Sequence, residues 1–215
     1  GVLFKFSENV FTAVSTDGHR LVKHQVKDVL PLELKEEIII PKKFLSFLST
    51  QLTDDDLDIS IGDNFITAQI KKDVITTKII DEKFPDYDSV VPKDNDKTFL
   101  VDKNILLGAI RRVSIFSNKA THQVALSLKK NDSFVMTEDP EKSSKAKEKI
   151  VGDYKGEDLV IGYNSEYLKD IVSHVSGENL KIILKTPVSA ALFEETPKRN
   201  NVNTLMLLMP IRLND

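Results

Sequence analysis

The chain has 215 residues, 40% of them hydrophobic, no cysteine, and a formal charge of −3 from 30 basic and 33 acidic residues. That length and apolar content allow one large domain or two of ordinary size, and the lack of cysteine excludes disulfides and thiolate metal sites, as suits a reducing, cytoplasmic setting. No stretch approaches the roughly eighteen consecutive apolar residues of a membrane span, and Gly1-Val2-Leu3-Phe4-Lys5 has neither the basic flank nor the cleavage site of a signal peptide.

In chain order, β-rich runs over 2–6 and 10–15 predict two strands. Phe44, Leu45, Leu48 and Leu52 then fall at helical spacing, and Leu57, Ile59 and Ile61 alternate as in a strand. Gly62-Asp63-Asn64 is a hairpin signal, and a further strand is expected over 74–80. Val91-Pro92-Lys93-Asp94 reads as a linker, predicting domains over 1–92 and 93–215. A helix is expected over Asp102 to Phe116, with Asp102 as N-cap and Leu106, Ala109, Ile110 and Val113 as its buried stripe. Strands follow over 123–128 and 133–137, joined at Asn131-Asp132, then a helix through Tyr167, Leu168, Ile171 and Val175, and strands over 181–185 and 205–209.

These elements repeat. Residues 41–70 laid on 164–193 without a gap pair Phe44 with Tyr167, Leu48 with Ile171, Ile59 with Ile182 and Ile70 with Phe193, so the apolar positions coincide across a change from helical to strand period. Two copies of one α+β unit therefore fill the chain. The counterpart of the 102–116 helix would precede Gly1, so the first copy is expected to lack its opening helix and the chain to represent part of a longer protein. The charge divides unevenly, with net −5 before Pro92 and net +2 from there on, which favours nucleic-acid contact by the second copy only mildly.

Catalytic chemistry is poorly supplied. The four histidines form no HExxH pair, and no GxSxG elbow, P-loop or GxGxxG is present. Asp17, His19 and Arg20 form no recognisable catalytic set, and Asp54-Asp55-Asp56 lack the spaced ligands of a cation site and read as a solvated turn. No metal or cofactor is expected. The end of the chain is unusual: Leu205, Met206, Leu207, Leu208, Met209, Pro210, Ile211 and Leu213 place apolar residues on both faces of a strand, which calls for a covering partner. Pro210 ends backbone pairing and so favours a strand end open to an incoming extended peptide.

Thr16-Asp17-Gly18-His19-Arg20-Leu21 resembles the TDGHRL signature of bacterial sliding clamps, the ring-forming beta subunits of the replicative DNA polymerase. Phe84-Pro85-Asp86-Tyr87 with Val91-Pro92, Ser117-Asn118, Tyr163-Asn164-Ser165-Glu166-Tyr167-Leu168 and Leu208-Met209-Pro210-Ile211-Arg212-Leu213 are similar to that family's FPDY…P, SN, FNxxYL and MPMRL elements, in the same order. The resemblance implies an α+β fold of repeated DNA-clamp domains, with helices lining a central hole and antiparallel sheets outside. The chain would supply the middle domain, without its first helix, and the C-terminal domain. It further implies a head-to-tail homodimer that encircles duplex DNA without reading sequence. Such a ring is a processivity factor, a non-catalytic subunit of the polymerase complex that tethers polymerase, clamp loader and repair proteins through hydrophobic linear peptides.

Carried over position by position, the peptide pocket comprises Thr16, Gly18, His19, Arg20, Leu21, Pro85, Val90, Asn164, Tyr167, Val188, Leu207, Leu208, Met209, Pro210, Ile211, Arg212 and Leu213. Plain core packing is the competing reading for Leu208 and Ile211. The chain departs from the family pattern at Ser89, Thr121 and Ala190, all at the pocket rim, so the preferred peptide is expected to differ. Lys42, Lys43, Lys103, Arg111 and Arg112 are the candidates to face DNA, since a sliding contact needs positive charge without base-specific bonds; ordinary solvated charge is the alternative for each. The alternative for the whole chain is a duplicated α+β peptide-binding scaffold that does not encircle DNA.

Overall fold

Both copies of the helix-then-strand pattern fold, and each lies in a unit of its own. A computed structural model describes residues 1–7, 9–29, 37–52 and 57–213. One unit holds Gly1–Thr16 and Lys23–Asp86, the other Asp17–Val22 and Tyr87–Asp215. The turn 17–22 thus belongs with the second unit, although it follows directly on a strand of the first.

In the first unit, β1 (Val2–Ser7) pairs antiparallel with β2 (Val10–Thr16) on one side and β4 (Glu37–Ile40) on the other, and β3 (Arg20–Lys27) lies beyond β2. Helix α1 (Lys42–Gln51) buries Phe44 and Leu48 among Ile38, Ile40, Ile66, Ala68 and Ile70. The last three come from β6 (Phe65–Ile70), whose period-two pattern turns Ile66, Ala68 and Ile70 inward. Strands β5 (Asp58–Ile61) and β7 (Asp73–Lys78) flank β6 in a three-stranded antiparallel sheet, and the expected turn at Gly62 is closed by its amide donating to the Phe65 carbonyl at 2.9 Å.

The second unit begins with β8 (Lys97–Asp102) and α2 (Lys103–Ser114), then β9 (Gln123–Leu128), β10 (Ser133–Asp139), β11 (Ser144–Ile150), β12 (Gly152–Lys155) and β13 (Leu159–Asn164). Helix α3 (Ser165–His174) leads into β14 (Asn179–Leu184), β15 (Ala191–Thr196) and β16 (Val202–Leu208). Two antiparallel sheets result, ordered β12-β8-β14-β15-β16 and β11-β10-β9-β13. Leu106, Ile110 and Val113 of α2 and Leu168, Ile171 and Val172 of α3 share one core with Phe99, Leu126, Ile161, Ile182 and Phe193 of the strands. The α+β class is therefore as the residue pattern predicts, and the antiparallel sheets are as the resemblance implies.

Asp102 caps α2 as expected, its carboxylate accepting the Ile105 amide at 2.9 Å, but the helix ends at Ser114 and not at Phe116. The final strand also differs from 205–209. It starts at Val202 and stops at Leu208, because Pro210 has no N–H to continue a ladder. Strands β3, β4, β8, β11, β12, β13 and β15 were not predicted. β11 reads Ser-Lys-Ala-Lys-Glu-Lys-Ile, a charged edge strand whose polar sequence hides it from an apolar pattern. Asp54, Asp55 and Asp56 lie outside the described residues. Among the described residues, no helix is long and apolar enough to cross a membrane.

Candidate functional site

The turn between β2 and β3 is built by its own side chains. The Asp17 carboxylate accepts the amides of His19 and Arg20, each at 3.0 Å, an arrangement that mimics a backbone turn. Gly18 sits at φ +85°, left-handed backbone that suits a residue without Cβ. Arg20 Nε donates to the same carboxylate at 2.9 Å. Partial burial pushes the Asp17 carboxyl up, but the two amides and the guanidinium outweigh it and hold the group below the ordinary aspartate value.

Arg20 reaches from this turn to α3. Its guanidinium lies over the Tyr167 ring, 4.6 Å from the centroid, and also binds the Asp170 carboxylate. The His19 ring stands 5.8 Å from that of Tyr167. Tyr167 is fixed in turn by the start of its helix, where Asn164 Oδ1 accepts the amides of Glu166 at 2.9 Å and Tyr167 at 3.4 Å. The tail closes the group: the Met209 amide donates to the His19 carbonyl at 2.8 Å, and the Ile211 amide to the Gly162 carbonyl at 2.9 Å. Leu213 lies so close to Gly162 that a Cβ there would stand 2.6 Å from the leucine Cδ2.

Gly18, His19, Arg20, Asn164, Tyr167, Met209, Pro210, Ile211 and Leu213 are thus gathered within one unit. Leu21 is buried at 2% exposure and supports the turn from below, while Arg212 is exposed. The expectation that both faces of the tail await a cover needs correction. Met206, Leu207 and Leu208 are 5%, 2% and 0% exposed, so the protein covers them itself and Leu207 and Leu208 serve as core; Met209, at 41%, is the large apolar side chain the tail presents. Val90 and Val188 are exposed on separate turns, and Thr16 and Pro85 belong to the first unit. Of the rim positions, Ser89 and Thr121 are exposed and Ala190 is buried.

Sequence reasoning missed Asp170. It lies one turn after Tyr167 on the same helix face, and its Oδ1 is also 3.3 Å from His174 Nδ1. The basic candidates divide. Lys42, Lys43 and Arg111 are exposed. Lys103 is partly buried and donates to the Val175 carbonyl at 3.0 Å, and Arg112 forms a two-pronged pair with Glu148 at 2.9 and 2.5 Å, which compromises both as free cations.

Residues 1–86 match the family model described as DNA polymerase III beta subunit, central domain, and residues 88–212 match DNA polymerase III beta subunit, C-terminal domain. The beta sliding clamp of Pseudomonas putida is 34% identical over 215 residues, covering 99% of this chain and 58% of the relative; that of Escherichia coli is 30% identical over 217 residues, covering 99% and 57%. The chain thus spans about 58% of the length of such relatives. Among solved structures, the DNA polymerase sliding clamp from Pseudomonas aeruginosa superposes with a TM-score of 0.92 at 31% identity, over 99% of this chain and 58% of that one. The sliding clamp from Bacillus subtilis gives 0.91 at 26%, over 100% and 57%. A Pseudomonas aeruginosa clamp has also been solved bound to griselimycin.

Proposed function

The chain belongs to the DNA polymerase III beta subunit family, the bacterial sliding clamps, and on that premise we propose that it is the part of a clamp that captures partner proteins by a short hydrophobic peptide. The observation that carries this reading is the joining of the Asp17–Leu21 turn, Tyr167 of α3 and the Met209–Leu213 tail in one cluster. An apolar side chain laid there meets Met209, the Tyr167 ring and the stacked face of Arg20, with polar backbone held nearby for an extended peptide. Val90 and Val188 extend the proposed pocket within the second unit, with residues 1–92 as the middle domain and 93–215 as the last.

In the whole protein the unit works in the cytoplasm as part of a head-to-tail ring around duplex DNA. It catalyses nothing itself and keeps polymerase, clamp loader and repair proteins at the template. Lys42 and Lys43 support DNA contact: they occupy the first turn of α1, which has no acidic residue, where the helix dipole disfavours cations by about 0.3–1 kcal/mol. A nearby phosphate relieves that repulsion. Arg111 adds an exposed cation on α2; Lys103 and Arg112 contribute less.

Fluorescence anisotropy with a labelled pentapeptide ending in two apolar residues tests the pocket. Met209→Asp and Tyr167→Ala should each weaken binding at least about tenfold, the size expected for a central contact worth about 1.4 kcal/mol or more, with circular dichroism unchanged. Equal affinity in both folded variants would remove the site from this cluster.

A further inference from the structure

On the outer face of the sheet β11-β10-β9-β13 runs a groove of about 1040 Å³ to which none of the residues gathered at the turn contributes except Leu213. Its floor is one row across the strands. Lys147 stands opposite Met136, Met136 opposite Ala125, and Ala125 opposite Gly162, over which Leu213 is folded. The neighbouring β9–β13 pair sets Gln123 opposite Asn164, the residue that caps α3 beneath Tyr167. The groove and the proposed pocket therefore meet at Leu213 of the tail, and Gln123 of the groove stands beside Asn164 of the pocket. From Met209 to Leu213 an extended chain covers roughly 13 Å, so about four peptide residues bridge the two.

The charges at the rim have a definite sign. Glu138 is paired with Lys145 at 3.0 Å, and Asp139 is only 1% exposed and accepts the Glu141 amide. What remains toward solvent is Lys119, Lys142 and Lys147, each exposed, against Glu141. Lys147 lies over the Phe134 ring at 3.9 Å, which keeps its ammonium close to the sheet. A methionine and alanine floor beside three exposed lysines suits a segment that is apolar on one side and acidic on the other.

We infer that this groove is a second site, which binds the acidic residues flanking a partner's hydrophobic peptide on its N-terminal side. The inference rests on the pocket reading above. The peptide's apolar end occupies the turn, and its preceding residues follow the tail past Leu213 to the lysines. The groove thereby ranks partners that share the same apolar end.

The test uses the full chain and four labelled peptides: the bare pentapeptide, and the same peptide preceded by four glutamates, four serines or four lysines. The glutamate peptide should bind about tenfold tighter than the serine peptide, as two or three exposed ion pairs add together, and this gain should shrink at high salt. In a Lys119→Glu/Lys142→Glu variant the gain should vanish while the bare pentapeptide binds as before. No gain, or an equal gain with four lysines, overturns the groove and leaves the pocket standing. Failure of the bare pentapeptide to bind overturns the pocket, and the groove with it. A lysine-dependent dimer in light scattering would give the groove to a second copy of the chain and overturn the proposal as well.

Discussion

Ile59 and Ile182 hold the same place in the repeat, yet Ile59 is 46% exposed and Ile182 is fully buried. Leu52 and Val175 show the same contrast, at 45% and 3%. The cause lies in the neighbours. β14 is paired on both sides, with β8 and β15, and α2 packs beside α3 over the same core. Among the described residues β5 stands at the edge of its sheet with β6 as its one partner. Helix ends differ likewise: Asn164 caps α3 with two hydrogen bonds, whereas α1 begins at Pro41 with no side-chain cap. A hydrophobic pattern therefore sets the period of an element, and the layers around it decide how much of that pattern is buried.

The strongest way to break this comparison is to truncate the paired isoleucines. Ile182→Ala should destabilise the second unit by about 2–5 kcal/mol, the range for a buried large-to-small change, while Ile59→Ala should cost under about 1 kcal/mol. Urea unfolding, followed by probes placed in each unit, measures both. Similar losses would mean that exposure does not distinguish the copies. The caps sharpen the contrast on a smaller scale. Asn164→Ala should cost about 1 kcal/mol, and Pro41→Ala less than half of that, since no cap bond is lost. Amide exchange in α3 and α1 reports the difference, and equal protection changes would refute it.

The smallest effect concerns acid. Asp17 and Glu148, both in the second unit, are held below their ordinary values of 3.8 and 4.5, Glu148 chiefly by its bond to Arg112 and Asp17 by the amide and guanidinium donors that outweigh burial. Lowered carboxyl values stabilise the fold fully above the unfolded-state values and lose that contribution as pH falls from 4.5 downward through the lower folded values. An Asp17→Asn/Glu148→Gln variant should therefore show a flatter fall in second-unit stability on acidification. An unchanged slope would show that neither carboxylate is linked to folding.

Much of this was legible in the residues. The change of period at 44–61 and 167–184 gives both helix–strand units, and Asp102 marks the start of α2 because a short carboxylate there meets free amides. The motif around Asp17 and the tail points to most of the residues of the proposed site. Burial at 206–208 was not legible, because which side of a strand is covered depends on residues distant in sequence, such as those of β15. Asp170 escaped for the same reason: its meaning comes from Arg20, 150 positions away. The groove escaped because its floor is a row across three strands and the tail, which no linear window contains.

Arg20 shows what such long-range placement does to a side chain. Two carboxylates flank its guanidinium and an aromatic ring lies beneath it, so its positive charge is met twice over and its planar face remains. An arginine usually carries about 2 kcal/mol of rotamer entropy, and here folding has already removed much of it. To anything settling on the turn it is a stiff plate, continuous with the tyrosine beneath. The residue that looks most ionic in the linear string therefore offers a planar face whose charge is already engaged, and it need not reorganise on contact.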